Sequence, residues 1–357
     1  SAPLLLDILV SKAEALTDLS KSQSGSLRFL EMGISTFITA SELVDRIRNS
    51  YDTEESKLSL GGRNSTLYEK AIGASLRAWE ATKGERFKEL AFFFAEKSRA
   101  NILFHALQES KAKQFAGIPT TLLDRERKIK IDLIRCEIEL QKEKENQKNG
   151  DKSKVHELED RLFSTRREYE KVMIQFEKAY PRYYEMRYET TTASVSELKR
   201  SLKDNSALVE YFFGDSTIFS FVISQHEFNI TAIKHDKSLG VIVNELSKSL
   251  KNVTSKREYL DSATRLYQVL LKPIAPFVAD KHHWAIIPDG QLYQIPFEVL
   301  LTDELVQAGQ TEYAALPYLV NKHEISYHFS ATLFLKSLRE QAAERSASLF
   351  AGFAPVF

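Results

Sequence analysis

The sequence predicts two structurally different halves, an all-helical amino-terminal half followed by an α/β unit. Through residues 1–180, apolar residues recur at the spacing of helix faces. Residues 207–233 instead carry three short runs rich in aromatic and β-branched residues, separated by turn signals. Strand and helix patterns alternate after residue 233, which favours an α/β layer. With 357 residues and a hydrophobic share of 43%, the chain can form two or three compact units with real cores.

Four helical runs are predicted within residues 1–116. They cover residues 4–19, 27–47, 67–79 and 87–107. The polar segment 52–64 contains Gly61 and Gly62 and is predicted to be a loop between the second and third helices. Four antiparallel helices of this kind resemble tetratricopeptide-like pairs, but the repeat of about 34 residues is not clean. An ordinary helical bundle fits the same pattern.

Residues 117–190 are predicted to form a charged, antiparallel helical hairpin. Ile129, Leu133, Cys136 and Leu140 follow one another in steps of four, three and four, and residues 155–176 continue a similar apolar seam. The turn signal at residues 149–151 lies midway, so the two arms should fold back on each other. Basic and acidic residues are intermixed on both arms, which favours solvated faces over a basic groove for nucleic acid.

Residues 191–340 are predicted to form an α/β unit that begins with an antiparallel meander. Its three strands are expected at residues 207–213, 217–224 and 228–233. Two helical patterns follow, at about residues 239–250 and 259–271, and the second stops at Pro273. The three strands would begin the sheet, and the two helices would pack on it.

Two further strands are predicted later in the same unit. A buried strand at residues 284–287 is closed by Pro288, Asp289 and Gly290, which favour a tight turn because proline presets φ and glycine accepts a positive φ. Alternating apolar residues at 325–329 indicate another strand, and Ser330 is the expected N-cap of a helix that runs to about residue 339. The apolar run 349–354 is predicted to be one more buried strand.

Charge and composition exclude several classes of function. The chain has 49 basic and 49 acidic residues, which argues against a dedicated binder of nucleic acid or anionic membranes. Its single cysteine cannot form an internal disulfide and fits a reducing compartment. There is neither an apolar run of about 20 residues nor a signal peptide pattern, so a cytoplasmic protein is expected. Glycine-rich phosphate loops are absent, and no cofactor is expected.

Five segments, in this order, carry a family resemblance. They are YFFGD (211–215), LYQVLLKPI (266–274), WAIIPDGQLYQIPFEVLL (284–301), YLVNKHEISYHFSATLFL (318–335) and FAGFAPVF (350–357). Together they resemble the CHAT domain, a caspase-like cysteine peptidase domain typically found behind tetratricopeptide repeats. The upstream segments AFFFAEKSRANIL (91–103) and GIPTTLLDRE (117–126) resemble the helices and spacer that precede such domains. The block from IIPDGQL to IPFEVL is the most specific part.

The resemblance implies a first α/β subdomain that lacks catalytic residues and supports a second, caspase-like one. In the family, the catalytic His stands in a His-Gly context and the catalytic Cys in a Ser-Ala-Cys context, both downstream of the strand that FAGFAPVF resembles. This sequence contains no His-Gly pair and ends at Phe357, so residues 341–357 are expected to be the first strand of the catalytic subdomain. No catalytic, cofactor-binding or metal-binding residue is therefore assigned within the chain.

The function implied is that of a non-catalytic amino-terminal portion of a CHAT-family cysteine-peptidase-like protein. The intact protein would be a cysteine endopeptidase, and this chain alone would be inactive. Its helical region would regulate the protein or bind a protein or peptide partner. The alternative is a non-enzymatic helical-repeat scaffold for protein–protein interaction. An open edge on the last strand would also allow self-association.

Individual reactive residues favour structural roles. Cys136 lies on the hairpin seam and is expected to be a small core residue, since a nucleophilic thiolate needs a nearby base. His282 and His283 suggest a metal site, as do His323 and His328, but zinc needs three or four convergent ligands. The last two are five residues apart in a predicted strand and should face opposite sides. Surface or hydrogen-bonded histidines are therefore expected.

Two further groups of residues could be assigned a catalytic or a bracing role. Ser330, His328 and Asp289 could be imagined as a nucleophile, base and acid, but no spacing selects them and the G-x-S-x-G elbow is missing. Asp289 and Glu298 lie within the most specific part of the family resemblance. The turn chemistry explains Asp289, and the functional alternative is that Asp289 or Glu298 braces the catalytic subdomain.

Overall fold

A computed structural model describes most of the chain. It covers residues 2–21, 26–50, 54–109, 118–145, 152–180, 192–236, 238–251, 256–302 and 312–343. The chain forms two compact units, one of residues 1–67 and 100–191 and the other of residues 68–99 and 192–357. The domain boundaries expected at residues 116, 190 and 340 remain predictions. The apolar run 349–354 lies outside the described residues.

Four helices form the first part of the chain. They are α1 (Ala2–Leu19), α2 (Ser26–Ser50), α3 (Glu54–Thr82) and α4 (Glu85–Glu109). Helices α1 and α2 pack against each other, and a Cβ on Gly33 would lie 2.6 Å from the Thr17 methyl carbon, so glycine permits this close approach. None of the helices in the described part of the chain has the length and hydropathy of a membrane span. Tetratricopeptide geometry remains a prediction.

The prediction of a loop at residues 52–64 is wrong, because α3 already begins at Glu54 and continues to Thr82. The prediction relied on Gly61, Gly62 and the polarity of the segment. A glycine inside a helix costs only about 1 kcal/mol relative to alanine, and polar residues are compatible with helix. The two adjacent glycines therefore weaken the helix without ending it.

The predicted hairpin is confirmed. Its arms are α5 (Thr120–Glu145) and α6 (Lys152–Ala179), and their seam buries a cluster of Ile118, Leu122, Ile129, Val172 and Phe176. Exposed ion pairs join the arms, for example Arg125 to Glu168 at 3.0 Å and Lys144 to Glu159 at 2.6 Å. Residue numbers rise on one arm as they fall on the other, so the arms are antiparallel. The predicted turn at residues 149–151 lies outside the described residues.

A five-stranded mixed sheet forms the centre of the second unit. Its strands are β1 (Ser206–Phe213), β2 (Thr217–Ser224), β3 (Phe228–Lys234), β4 (His283–Ile287) and β5 (Glu324–Tyr327), in the order β3-β2-β1-β4-β5. Strand β2 is antiparallel to β1 and β3, which confirms the predicted meander. Strand β4 is parallel to β1 and β5, so the carboxyl ends of β1, β4 and β5 meet at one edge.

Helices cover both faces of this sheet. One face, which carries Val209, Tyr211 and Ile286, packs against α8 (Ser238–Lys251) and α9 (Lys256–Leu270). A 3-10 turn containing Pro273 and the short helix α10 (Ala275–Val278) follow α9. On the other face, Phe92 of α4 contacts the rings of Phe221 and Phe228 at 5.7 and 6.0 Å.

Two more helices complete the second unit. They are α7 (Val195–Ser201) and α11 (Ala331–Ala343), which contact each other. Helix α7 begins with a capping box formed by Ser194 and Glu197. The Ser330 hydroxyl accepts a hydrogen bond from the Leu333 amide at 3.1 Å, so the predicted cap of α11 is confirmed.

Candidate functional site

The candidate site lies at the carboxyl edge, where β1, β4 and β5 end. Residues after each of these strands meet there because the three strands are parallel. In open α/β sheets this edge is where ligand and catalytic groups commonly gather. Residues 96 and 99 of α4 reach the same edge. We call Glu96, Arg99, Glu210 and Asp289 the Arg99 cluster.

Arg99 is the centre of the cluster and is almost fully buried, with a side-chain exposure of 1%. Its Nε donates to Oε1 of Glu210 at 2.7 Å. Its Nη1 donates to the Pro288 carbonyl at 2.9 Å and to the Phe329 carbonyl at 3.4 Å, and Nη2 donates to the Tyr211 carbonyl. One guanidinium therefore binds two residues of β1 and the chain segments that follow β4 and β5.

Glu96 lies one helical turn before Arg99 and caps another element. Its carboxylate accepts hydrogen bonds from the amides of Ala331 and Thr332 at 3.0 and 2.8 Å, and from the Thr332 hydroxyl. These amides belong to the first turn of α11, where backbone donors have no partner within the helix. A carboxylate is also favoured there by the helix dipole. Glu96 thus fixes the start of α11 against α4.

The charged groups of the cluster and their burial act in opposing directions on the pKa of Glu210 and on that of Arg99. Burial, and next the charge of Glu96, raise the pKa of Glu210 well above its ordinary value, whereas Arg99 lowers it. Burial lowers the pKa of Arg99, but Glu210 and Asp289 lead a set of charges that raise it above its ordinary value. Three carboxyl groups surround one guanidinium, so their mutual repulsion adds to burial in opposing the charged form of Glu210, while the guanidinium favours it. Arg99 remains charged.

Asp289 joins the ends of two strands. Its Oδ2 accepts a hydrogen bond at 2.8 Å from the amide of Phe213, the last residue of β1. Gly290 follows with a φ of +54°, and a Cβ there would lie 3.1 Å from the Phe213 side chain. The positive φ favours glycine, and the Phe213 side chain leaves little room for a larger residue. The predicted sharp turn after β4 is present, as a 3-10 helix at Gly290–Gln294.

Polar contacts also connect α3 and α4 to the meander. Glu69 accepts a hydrogen bond at 2.9 Å from the amide of Asp215 in the β1–β2 turn. A Cβ on Gly214 would lie 2.4 Å from the Glu69 carboxyl group, so the glycine of YFFGD leaves room for this contact. Lys88 donates to the Phe228 carbonyl at 2.6 Å. The helices are thus joined to the sheet at specific backbone groups as well as through apolar packing.

A separate cleft of about 420 Å³ is lined by the end of α8, by α9 and by residues 298–299 and 313–320, and this lining is mostly apolar or aromatic. Tyr259, Tyr313 and Tyr318 contribute to this lining, and the Tyr259 hydroxyl donates to the Val299 carbonyl at 2.6 Å. Glu298, the acid considered for a bracing role, accepts a hydrogen bond at 2.5 Å from the Tyr327 hydroxyl. The lining therefore offers one carboxylate among tyrosines.

The residues considered as a triad are not assembled. The Ser330 hydroxyl caps α11, and Asp289 accepts from the Phe213 amide. His328 Nε2 lies 3.2 Å from the Ser326 hydroxyl, and burial lowers the pKa of this histidine. Within the described hydrogen bonds, none of the three residues binds another. Cys136 is fully buried in the hairpin, as expected for a core residue.

The histidines near β4 and β5 separate into two groups. His323 stacks on Trp284 at 4.1 Å, and its Nδ1 lies 2.8 Å from the Lys281 carbonyl. His323 precedes β5 and His328 follows it, so the structure does not bring these two together. His282 and His283 instead converge with a glutamate, described below.

Glu96 and Arg99 lie in the segment AFFFAEKSRANIL, but no role was predicted for them from the sequence. The available signal was a charged residue inside an apolar run. Glu210 interrupts the strand ALVEYFF, and Glu96 and Arg99 follow the apolar AFFFA of α4. A charge at such a position needs a partner when it is buried. Sequence alone does not show that these charges are partners, because residues 99 and 210 are far apart along the chain.

The family model of the CHAT domain matches residues 260–354. The matched segment contains β4, β5, most of α9 and all of α11, together with Asp289. It does not contain Glu96, Arg99 or Glu210. No curated protein matches the sequence.

Proposed function

We propose that this chain, in which residues 260–354 are a CHAT domain, is a non-catalytic amino-terminal portion of a CHAT-family cysteine-peptidase-like protein, with its helices as a regulatory element. The Arg99 cluster is the observation that carries the proposal. Helix α4 reaches the carboxyl edge of the sheet through buried charges. The segments held there, after β4 and β5, belong to the CHAT match.

Buried charge is a costly way to attach a helix to a sheet. Removing two charges from water costs several kcal/mol per ion, and an apolar contact of the same size is often at least as stable. A buried charge network instead fixes the position of the helix on the sheet, because each donor must meet its own acceptor. A helix held in this way has few alternative positions. A displaced α4 would release Pro288, Phe329 and the first turn of α11 together.

Helix α4 is also suited to transmit a signal. It is one continuous helix from Glu85 to Glu109, and its residues are divided between the two compact units after residue 99. A protein or peptide partner that binds the helical region would act on the sheet through this helix. The mechanism is a change in the population of two packings, biased by the partner's preference for one of them.

Replacing Glu96 with glutamine tests this coupling. The amide keeps the shape but loses the negative charge that accepts from Ala331 and Thr332. Hydrogen bonds to charged groups contribute about 1.5–3 kcal/mol, so local opening of the first turn of α11 should become about 10-fold more frequent or greater. Hydrogen exchange of the full chain, read at residues 331–335, measures this.

The matched control is Glu89→Gln, the same substitution at an exposed position on the same helix. It should leave exchange at α11 unchanged, and neither variant should alter exchange in α5 and α6. Equal exchange at α11 in the two variants would mean that α4 covers the sheet without holding the first turn of α11 in place. The non-enzymatic scaffold would then be the better description.

The peptidase part of the proposal has its own test. The chain has a single thiol, that of Cys136, which is fully buried within the hairpin. A cysteine peptidase needs a thiolate, a base and oxyanion donors in one cleft. We expect this chain to cleave no member of a peptide library and Cys136→Ser to behave identically. Cleavage that disappears in Cys136→Ser would contradict the proposal.

A further inference from the structure

The opposite, amino edge of the sheet carries a second cluster of side chains, formed by His282, His283 and Glu324. We propose that this His282 cluster binds a divalent transition-metal ion of the zinc class. The proposal is independent of the Arg99 cluster, which lies at the other end of the same strands. It does not depend on peptidase activity.

The possible ligand atoms of the three residues lie close together. Nδ1 of His283 is 2.6 Å from Oε2 of Glu324, and Nδ1 of His282 is 3.8 Å from Oε1 of the same carboxylate. Each residue offers one ligand atom, and these atoms all lie within 4.8 Å of one another. Ligand atoms about 2.0–2.2 Å from a tetrahedral ion are about 3.3–3.6 Å apart. Small side-chain rotations bring the three atoms to that spacing.

The backbone explains why two consecutive histidines converge. Neighbouring residues in a strand point to opposite faces, but His282 lies at a bend just before β4. The amides of His282 and His283 both donate to the Asn205 carbonyl, at 2.8 and 3.1 Å. The bend brings their rings to 4.9 Å, nearly edge to face at 66°. Both imidazoles can therefore reach one carboxylate.

Strand pairing fixes the third ligand. Strands β4 and β5 are parallel, and His283 is directly opposite Glu324 in their register. The Glu324 amide also donates to the His282 carbonyl at 2.8 Å. All three residues thus stand on paired backbone at the sheet edge, which holds a site more rigidly than a loop does.

The donor set suits zinc and its neighbours in the first transition row. Two imidazole nitrogens and one carboxylate oxygen form a three-ligand set that leaves a coordination position for water or for another molecule. His282 and Glu324 are exposed and His283 is half-buried, so an ion can enter from solvent and that position faces outward. The net charge of two neutral imidazoles and one carboxylate also favours a cation.

Two other exposed histidines pair with a carboxylate but lack a second imidazole. His226 Nε2 lies 3.2 Å from Asp204, and His156 Nε2 lies 3.8 Å from Asp160. Such pairs are ordinary surface contacts. His226 therefore provides a matched control, since it has the same residue type, an acidic partner and comparable exposure.

The test is Zn²⁺ binding by the full chain at neutral pH, measured by competition with a chromophoric chelator. One ion per chain is expected. His283→Ala and Glu324→Gln should each weaken binding at least about 10- to 100-fold, because even groups that only orient metal ligands have effects of that size. His226→Ala should change the affinity by less than about twofold. Co²⁺ should give a visible absorption spectrum in the wild type that His283→Ala lacks.

Several outcomes would overturn the proposal. Equal weakening by His226→Ala would indicate non-specific binding to surface histidines. Unchanged affinity in both His283→Ala and Glu324→Gln would place the ion elsewhere, and a requirement for about millimolar Zn²⁺ would indicate no site. The circular dichroism and thermal midpoint of each variant show whether it is folded. The substituted side chains are at the edge of the sheet, so folding should be retained.

Discussion

Replacing Arg99 with methionine is expected to lower the free energy of unfolding of the sheet-containing unit by about 3–5 kcal/mol. The substitution keeps most of the apolar volume but removes the cation that neutralises Glu210. It also leaves the carbonyls of Tyr211, Pro288 and Phe329 without this donor. Breaking one side of a buried ion pair is costly because an uncompensated charge remains behind.

Denaturant unfolding, followed by hydrogen exchange of amides in β1 and β4, measures the loss. Arg200→Met is the control, since Arg200 is exposed on α7 in the same unit and should change the free energy of unfolding by less than about 0.5 kcal/mol. Arg99→Met combined with Glu210→Leu should recover part of the loss, because no lone buried charge then remains. Equal effects of Arg99→Met and Arg200→Met would show that the buried pair does not stabilise the fold.

The pH dependence of this loss follows from the raised pKa of Glu210. An acid whose pKa is higher in the folded state binds a proton more readily there, so stability falls as pH rises from the unfolded pKa towards the folded one. Arg99 lowers the pKa of Glu210. Without Arg99, the pH range over which stability falls should therefore extend to higher pH. The loss in Arg99→Met should therefore be smaller near about pH 5 than near about pH 8.

The local elements of the sheet could be predicted because local chemistry determines them. Strands β1 to β3 are short aromatic and β-branched runs between strong turn signals, and the predicted and observed limits differ by one residue at most. The end of α9 follows from Pro273, and the start of α11 follows from Ser330. Helix α7 was missed because it has only seven residues, although Ser194 and Glu197 have the spacing of a capping box.

The candidate site could not be predicted because it depends on contacts between distant parts of the chain. Arg99 and Glu210 meet only because α4 packs on one face of the sheet, and the sequence does not specify which face. Similarly, the sequence does not show that His282 and His283 converge on one partner. The bend that brings them together depends on the Asn205 carbonyl, and their common partner Glu324 depends on the register of β4 and β5.

Phe297→Ala is expected to lower the free energy of unfolding by about 3–5 kcal/mol, because transfer free energy is lost and a cavity remains. The prediction that this ring is buried is confirmed, since Phe297 has no exposed surface. Its ring stacks on Tyr211 with centroids 5.8 Å apart and planes 22° apart, and it lies 6.4 Å from the ring of Tyr327. Pro296 precedes it and fixes the chain where the ring enters the core.

Phe329→Ala is the matched control in the same unit, because Phe329 is 55% exposed and removal of its ring leaves no buried cavity. The denaturant midpoint of Phe297→Ala should fall well below that of Phe329→Ala, with an unchanged m-value. Similar midpoints would mean that residues 296–300 (PFEVL) are not part of the core of this unit.

Tyr211 also connects the two variants with the largest effects. Its ring stacks on Phe297 on one face of the sheet, while its carbonyl accepts from Arg99. Residues that share a partner couple, typically by about 0.5–3 kcal/mol. Phe297→Ala combined with Arg99→Met should therefore differ from the sum of the single losses by more than about 0.5 kcal/mol. Additive losses would show that the packing of the core and the attachment of α4 are independent, and that a displaced α4 leaves the core unaffected.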